Sequence, residues 1–108
     1  MATFDDFIKE LEAEVGEFAE YSWEAYKAAA IKDGKAFVEK SKADLERWTK
    51  MLSQEELTRD DFEWLMVGKK DLAELVALKE AGLTKVALDR YVNGLIDTVV
   101  SIAFKTFV

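Results

Sequence analysis

Apolar residues recur along the chain at spacings of three and four, and this pattern predicts four amphipathic helices. The first predicted helix runs from about residue 4 to 31, with Thr3 as its N-cap. Its spacings alternate between four and three for nearly four heptads, which is typical of a coiled coil. The positions of this seam are Phe4, Ile8, Leu11, Val15, Phe18, Ser22, Ala25 and Ala29.

Asp33-Gly34 is a turn dipeptide, and we expect it to end the first helix. A second helix then runs from about residue 35 to 52. Its seam consists of Val38, Ser41, Leu45, Trp48 and Leu52. Because this seam does not continue the phase of the first, an antiparallel hairpin explains the pattern better than one rod. A single unbroken rod with a stutter is the alternative.

The connector after the second helix carries two candidate N-caps. Ser53 and Thr58 each have an acidic residue three positions later, as in a capping box. Thr58 is favoured because Leu57 and Phe62 flank it as a hydrophobic staple. The third predicted helix therefore runs from about residue 59 to 80.

The last predicted helix begins at residue 84 or 85 and runs to about 106. It follows a stop at Gly82, where Leu83 can complete a Schellman motif. From Leu95 onward the helix is apolar around most of its circumference, whereas a surface helix needs one apolar face. The second apolar face of this helix must therefore be covered by other protein surface.

Together these elements predict an all-α fold with a single domain over residues 1–108. We expect two antiparallel helical hairpins that form a four-helix bundle, either within one chain or completed by dimerisation, with closed or swapped hairpins. Trp23 and Tyr26 lie off the first seam and are candidate contacts, as is the apolar end of the last helix. The residues expected to mediate self-association are Trp23, Tyr26, Leu95, Val99, Ile102, Phe104 and Phe107.

The net charge of −7 is concentrated at the start of the chain, since residues 1–30 hold eight acids and two lysines. The acidic stripe of the first helix consists of Asp6, Glu10, Glu14, Glu17, Glu20 and Glu24. One interpretation is a docking surface for a basic partner. The other is a solvated helix face, partly neutralised by lysines of the neighbouring hairpin arm. Those lysines are Lys32, Lys35, Lys40, Lys42 and Lys50.

The chain lacks cysteine and histidine, which excludes thiolate and imidazole chemistry. The carboxylates fit solvated helix faces or caps, so we expect no enzyme, no metal site and no cofactor. Asp97 lies in the most apolar stretch and is the exception. We expect it to be a buried polar residue, with Arg90 as one candidate partner.

An acidic chain is a poor ligand for nucleic acid or anionic lipid, and no apolar run approaches the 18 residues of a membrane span. Asp5 and Asp6 argue against a signal peptide, so we expect a cytoplasmic protein. The sequence favours a non-enzymatic helical interaction or structural module. We expect it to form a homodimer and to offer its acidic stripe to a basic protein. The alternative is a binder of small apolar ligands with a pocket between the helices.

Overall fold

Five α-helices make up most of the fold, which is described for residues 3–108 by a computed structural model. They are α1 (Phe4–Ser22), α2 (Lys27–Ser53), α3 (Arg59–Val67), α4 (Val76–Glu80) and α5 (Lys85–Phe107). Two 3₁₀ turns, Glu24–Tyr26 and Lys70–Leu72, lie between them, and residues 3–108 contain no strand. The predicted all-α class is confirmed, although the helices are more numerous than expected. Residues 1 and 2 of the predicted domain lie outside the described range.

Local capping predicts most helix starts. Thr3 Oγ1 accepts a hydrogen bond from the Asp6 amide at 3.1 Å, and the Asp6 carboxylate accepts one from the Thr3 amide. These bonds lower the pKa of Asp6. Thr58 and Asp61 form the same reciprocal box at the start of α3. Ser53 instead lies inside α2 and donates to a carbonyl of its own helix, so its predicted role as a cap was wrong.

The break between α1 and α2 lies ten residues earlier than the sequence predicts. Trp23 leaves the helical conformation at φ −134° and ψ 40°, a 3₁₀ turn follows, and α2 begins at Lys27. The indole of Trp23 packs edge-on against the ring of Tyr91, with ring centroids 5.6 Å apart. The predicted turn at Asp33-Gly34 was therefore wrong, because α2 continues through both residues.

Gly34 allows three helices to meet closely. A Cβ at this position would lie 2.5 Å from Cγ1 of Val15 on α1 and 2.9 Å from the hydroxyl oxygen of Tyr91 on α5. The Tyr91 hydroxyl donates to the backbone carbonyl of Ala30 in the same region. Burial raises the pKa of Tyr91, and the charge of Asp33 raises it further. The glycine thus supplies space in the core and does not form a turn.

Asp33 is a buried carboxylate, only 6% exposed, that caps a distant helix. It accepts hydrogen bonds from the backbone amides of Ala77 at 3.1 Å and Leu78 at 2.7 Å, in the first turn of α4. The third predicted helix begins at residue 59 and ends at residue 80 as expected, but its continuity was wrong, because the chain leaves the helix after Val67 and restarts at Val76. Leu75 makes the restart with a left-handed φ of 55°.

The end of α4 agrees with the sequence. Gly82 has a φ of +91°, its amide bonds to the carbonyl of Lys79, and the Leu83 amide bonds to the carbonyl of Leu78 at 3.2 Å. This is the predicted Schellman motif. The predicted final helix is also confirmed, since α5 begins after Thr84, whose hydroxyl accepts from the Ala87 amide.

Helix α5 lies at the centre of the fold, and α1, α2 and α3 all pack on it. It runs antiparallel to α1, since Phe7 meets Phe107 at 5.3 Å and Phe18 lies beside Gly94. On another side, Phe62 of α3 packs edge-on against Phe104. The second apolar face of α5 is thus covered by helices of the same chain.

We expect opposite effects from two glycine-to-alanine substitutions. Gly16→Ala adds a methyl group to open space and should stabilise the protein by about 0.5–1 kcal/mol through helix propensity. Gly34→Ala must displace Val15 or Tyr91, and overpacking of about 1–3 kcal/mol should exceed that gain. Urea unfolding followed by circular dichroism measures both. Equal stabilities of the two variants would contradict the close approach at Gly34.

Asp33→Ala should destabilise the protein by about 2 kcal/mol, because two backbone amides, one of them buried, lose their acceptor. Asp71→Ala is the matched control: it removes an exposed carboxylate from the neighbouring 3₁₀ turn. It should change the free energy of unfolding by less than about 0.5 kcal/mol. Hydrogen exchange of the Ala77 and Leu78 amides should accelerate in Asp33→Ala alone. Similar unfolding curves for both variants would contradict the capping role of Asp33.

Candidate interaction surfaces

The acidic stripe follows one flank of α1 and continues onto the 3₁₀ turn. Asp6, Glu10, Glu14 and Glu17 are spaced by four, four and three residues, which places them on the same side of the helix. Glu10 and Glu14 are half-buried beside α5, whereas the other members of the stripe are exposed. All six carboxylates predicted from the sequence therefore reach the surface.

The cations beside this stripe are not the ones that the sequence suggests. Glu10 pairs with Lys105 of α5 at 3.1 Å, and Glu20 pairs more loosely with Lys27 at 3.7 Å. The Glu10 hydrogen bond and charge raise the pKa of Lys105, and Glu14 adds to the effect. The five lysines of α2 expected to neutralise the stripe form no ion pair with it. Lys40, for example, pairs with Glu74 at 2.8 Å.

Apart from Asp6, whose carboxylate caps α1, three stripe carboxylates have no cationic nitrogen within 4 Å in the part of the chain that the structure describes. They are Glu14, Glu17 and Glu24. The stripe is thus only partly neutralised by its own protein, and it keeps its negative potential along most of α1.

A small cleft of about 260 Å³ lies at the end of the acidic stripe, at the corner between α1 and α2. It is lined by Glu20, Tyr21, Glu24 and Lys27. Tyr21 is 82% exposed, so its ring and two carboxylates are open to solvent together. An aromatic ring beside carboxylates suits the head of an arginine or lysine side chain. Trp23 is half-buried against Tyr91, and Tyr26 remains 38% exposed beside this corner.

A second surface contains the most exposed tryptophan. A groove of about 370 Å³ lies between α2 and the end of α3. We call it the tryptophan groove; it is lined by Trp48, Trp64, Leu65, Val67, Gly68 and Lys69. Trp64 is 75% exposed and Val67 42%, whereas Trp48 forms a nearly buried wall. The sequence places Trp64 only at the edge of an apolar helix face, so this surface was not predicted.

The charges at the tryptophan groove are held in place by one carboxylate. Asp44 pairs with Arg47 at 2.7 Å and with Lys69 at 2.8 Å. Both cations lie against Trp48, with Arg47 Cζ 5.7 Å and Lys69 Nζ 5.5 Å from the ring centroid. The hydrogen bond from Lys69 is the main cause of the lowered pKa of Asp44. Two cations share one anion, which leaves a positive excess here.

A third cavity, of about 340 Å³, lies between the segment that contains α4 and the start of α5. Its apolar lining includes Leu75, Leu88 and Val92. The charged residues around it are Lys70, Asp71, Lys79, Lys85 and Asp89. Lysines outnumber acids at this site, in contrast to the chain as a whole.

The predicted self-association residues of α5 are occupied within one chain. Leu95 and Val99 are fully buried and Ile102 is 6% exposed. Phe104 packs on Phe62, and Phe107 packs on Phe7. Leu95, Val99 and Ile102 are therefore not free for a second copy in this fold, whereas Phe104 and Phe107 are half-buried.

Asp97 and Arg90 were expected to be buried, and the structure corrects this. Both are exposed on α5, and they form no ion pair with any residue between 3 and 108. The apolar residues around Asp97 in the sequence point to other sides of the helix, which leaves the carboxylate on the exposed side of α5.

Residues 3–108 contain no cluster of three or more acidic side chains arranged to hold a metal ion. No helix in this range is both long and apolar enough to cross a membrane. Comparison of the chain with protein-family models, with curated proteins and with solved structures found no match.

Proposed function

We propose that this protein is a non-enzymatic helical interaction module whose acidic stripe binds a basic segment of a partner protein. The observation that carries the proposal is the unpaired part of the stripe, where Glu14, Glu17 and Glu24 have no cation within 4 Å among residues 3–108. The open cleft around Tyr21 supports it, because this cleft offers a place for one arginine or lysine head.

The partner segment lies along α1 and brings several cations to the stripe. One exposed ion pair contributes little free energy, so the affinity depends on several pairs formed together. The concentrated negative charge also accelerates encounter with a positive partner. Binding of this kind weakens as salt rises. A cation seated at Tyr21 adds an interaction with the aromatic ring and fixes the register of the segment.

Self-association remains part of this proposal, and we place it on a surface other than the apolar end of α5. The side chains of its apolar end are buried or packed within the chain. An interface between copies must therefore use residues that a single chain leaves exposed.

Binding of a labelled peptide tests the role of the stripe. The probe is a lysine–alanine helix about as long as the 19-residue α1, and fluorescence anisotropy measures its affinity at low ionic strength and at about 0.15 M. We expect Glu14→Gln/Glu17→Gln/Glu24→Gln to weaken binding roughly tenfold. A glutamate–alanine peptide should not bind.

The matched control neutralises three exposed glutamates elsewhere, Glu39→Gln/Glu46→Gln/Glu80→Gln. It changes the net charge by the same amount and should alter the affinity by less than about twofold. Equal losses in the two triple variants would mean that only the total charge matters and would overturn the stripe as the binding surface.

The cavity between α4 and α5 favours a second candidate, a binder of small amphipathic anions. Its apolar lining suits an alkyl chain, and the surrounding lysines suit a carboxylate. A fluorescent fatty acid should then bind saturably, one per chain, and Ala73→Trp should abolish binding by filling the cavity. Ala13→Trp, on the exposed side of α1, should not. Binding that is absent or unaffected by Ala73→Trp would remove this candidate.

A further inference from the structure

Trp64 is an unusual surface residue, because 75% of it is open to solvent while apolar surface lies directly beside it. Val67 is 42% exposed and Leu65 half-buried on the same rim. A large indole exposed next to an apolar groove is the arrangement of an interface anchor, since tryptophan is enriched among the residues that dominate binding energy.

We propose that the tryptophan groove is a self-complementary interface through which two copies of this chain form a two-fold symmetric dimer. Trp64 of each copy lies in the groove of the other. The proposal gives a site to the self-association described above, but it does not depend on the acidic stripe, which lies on α1.

Symmetry favours a second copy as the occupant. A two-fold interface requires that the same patch carry both the projecting group and the site that receives it. Trp64 projects from α3, and the groove beside it is walled by Trp48 of α2. The groove volume of about 370 Å³ lies within the range of small-molecule sites, roughly 300–1,000 Å³. It is therefore large enough for one indole.

The charges around the patch are also complementary to those of a second copy. Lys69 lines the groove, Arg47 lies over Trp48, and both cations pair with Asp44. The helix that carries Trp64 has an exposed acid, Asp60, four residues earlier and thus on the same face. When Trp64 enters the groove of the other copy, Asp60 approaches the lysine and arginine there. Each copy supplies the acid for one contact and the bases for the other.

Absolute mass by light scattering across a concentration series tests the dimer. The mass of the unaltered chain should rise with concentration towards twice 12.3 kDa. Trp64→Ala should raise the dissociation constant at least about thirtyfold, as expected for a central tryptophan. Tyr21→Ala is the matched control, since it removes an aromatic residue that is 82% exposed on α1. It should leave the mass curve unchanged.

A mixing experiment tests the two-fold arrangement. Asp60→Lys and Lys69→Glu should each weaken self-association, because each places two like-charge contacts in a symmetric dimer. A mixture of the two proteins should restore it. In the mixed dimer the new lysine faces the new glutamate, and the other contact keeps the original pair. Circular dichroism shows whether each variant is folded before mixing.

Three results would overturn the proposal. The first is an unaltered chain that stays a monomer at all concentrations, and the second is a dimer that survives Trp64→Ala. The third is a mixture of Asp60→Lys and Lys69→Glu that fails to recover the mass that each variant loses. The triple glutamine variant of the stripe separates this proposal from the proposed function. It should lose affinity for the basic peptide while its mass curve stays that of the unaltered chain.

Discussion

Asp33 and Gly34, in the second turn of α2, connect that helix to three other helices. The carboxylate of Asp33 lies inside the protein and accepts hydrogen bonds from two amides of α4. Next to it, Gly34 leaves the space that Val15 and Tyr91 occupy. A buried carboxylate without partners would be costly, and two backbone donors offset that cost. The positions of α1, α4 and α5 against α2 all depend on this point.

The sequence predicts those features whose hydrogen bonds are local. Thr3, Thr58 and Gly82 were assigned correctly because their partners lie within five residues. Asp33-Gly34 was interpreted as a turn because that pair favours turns in isolation. In the fold, the Asp33 carboxylate accepts hydrogen bonds from amides 44 and 45 residues away, and the spacing of residues along the chain does not reveal such contacts. The left-handed Leu75 is equally invisible, since leucine rarely adopts that conformation.

The candidate surfaces also divide into one that the sequence predicts and others that it does not. The acidic stripe was predicted because carboxylates without partners stay at the surface in almost any packing. The second apolar face of α5 predicts that other residues pack against it, but the sequence does not show whether they belong to the same chain or to a partner. In the structure, α1, α2 and α3 of the same chain pack against this helix. Trp64 lies at the edge of an apolar face, where periodicity does not distinguish a core residue from an exposed one. The packing of α3 in the folded chain leaves its indole 75% exposed.

The close packing at Gly34 also constrains how this sequence can change over time. A larger residue at position 34 is acceptable only if position 15 or position 91 becomes smaller in the same lineage. These three positions belong to different helices and are far apart in the chain. We therefore expect them to vary together among homologous sequences, and the pattern of permitted combinations would record the geometry of the core.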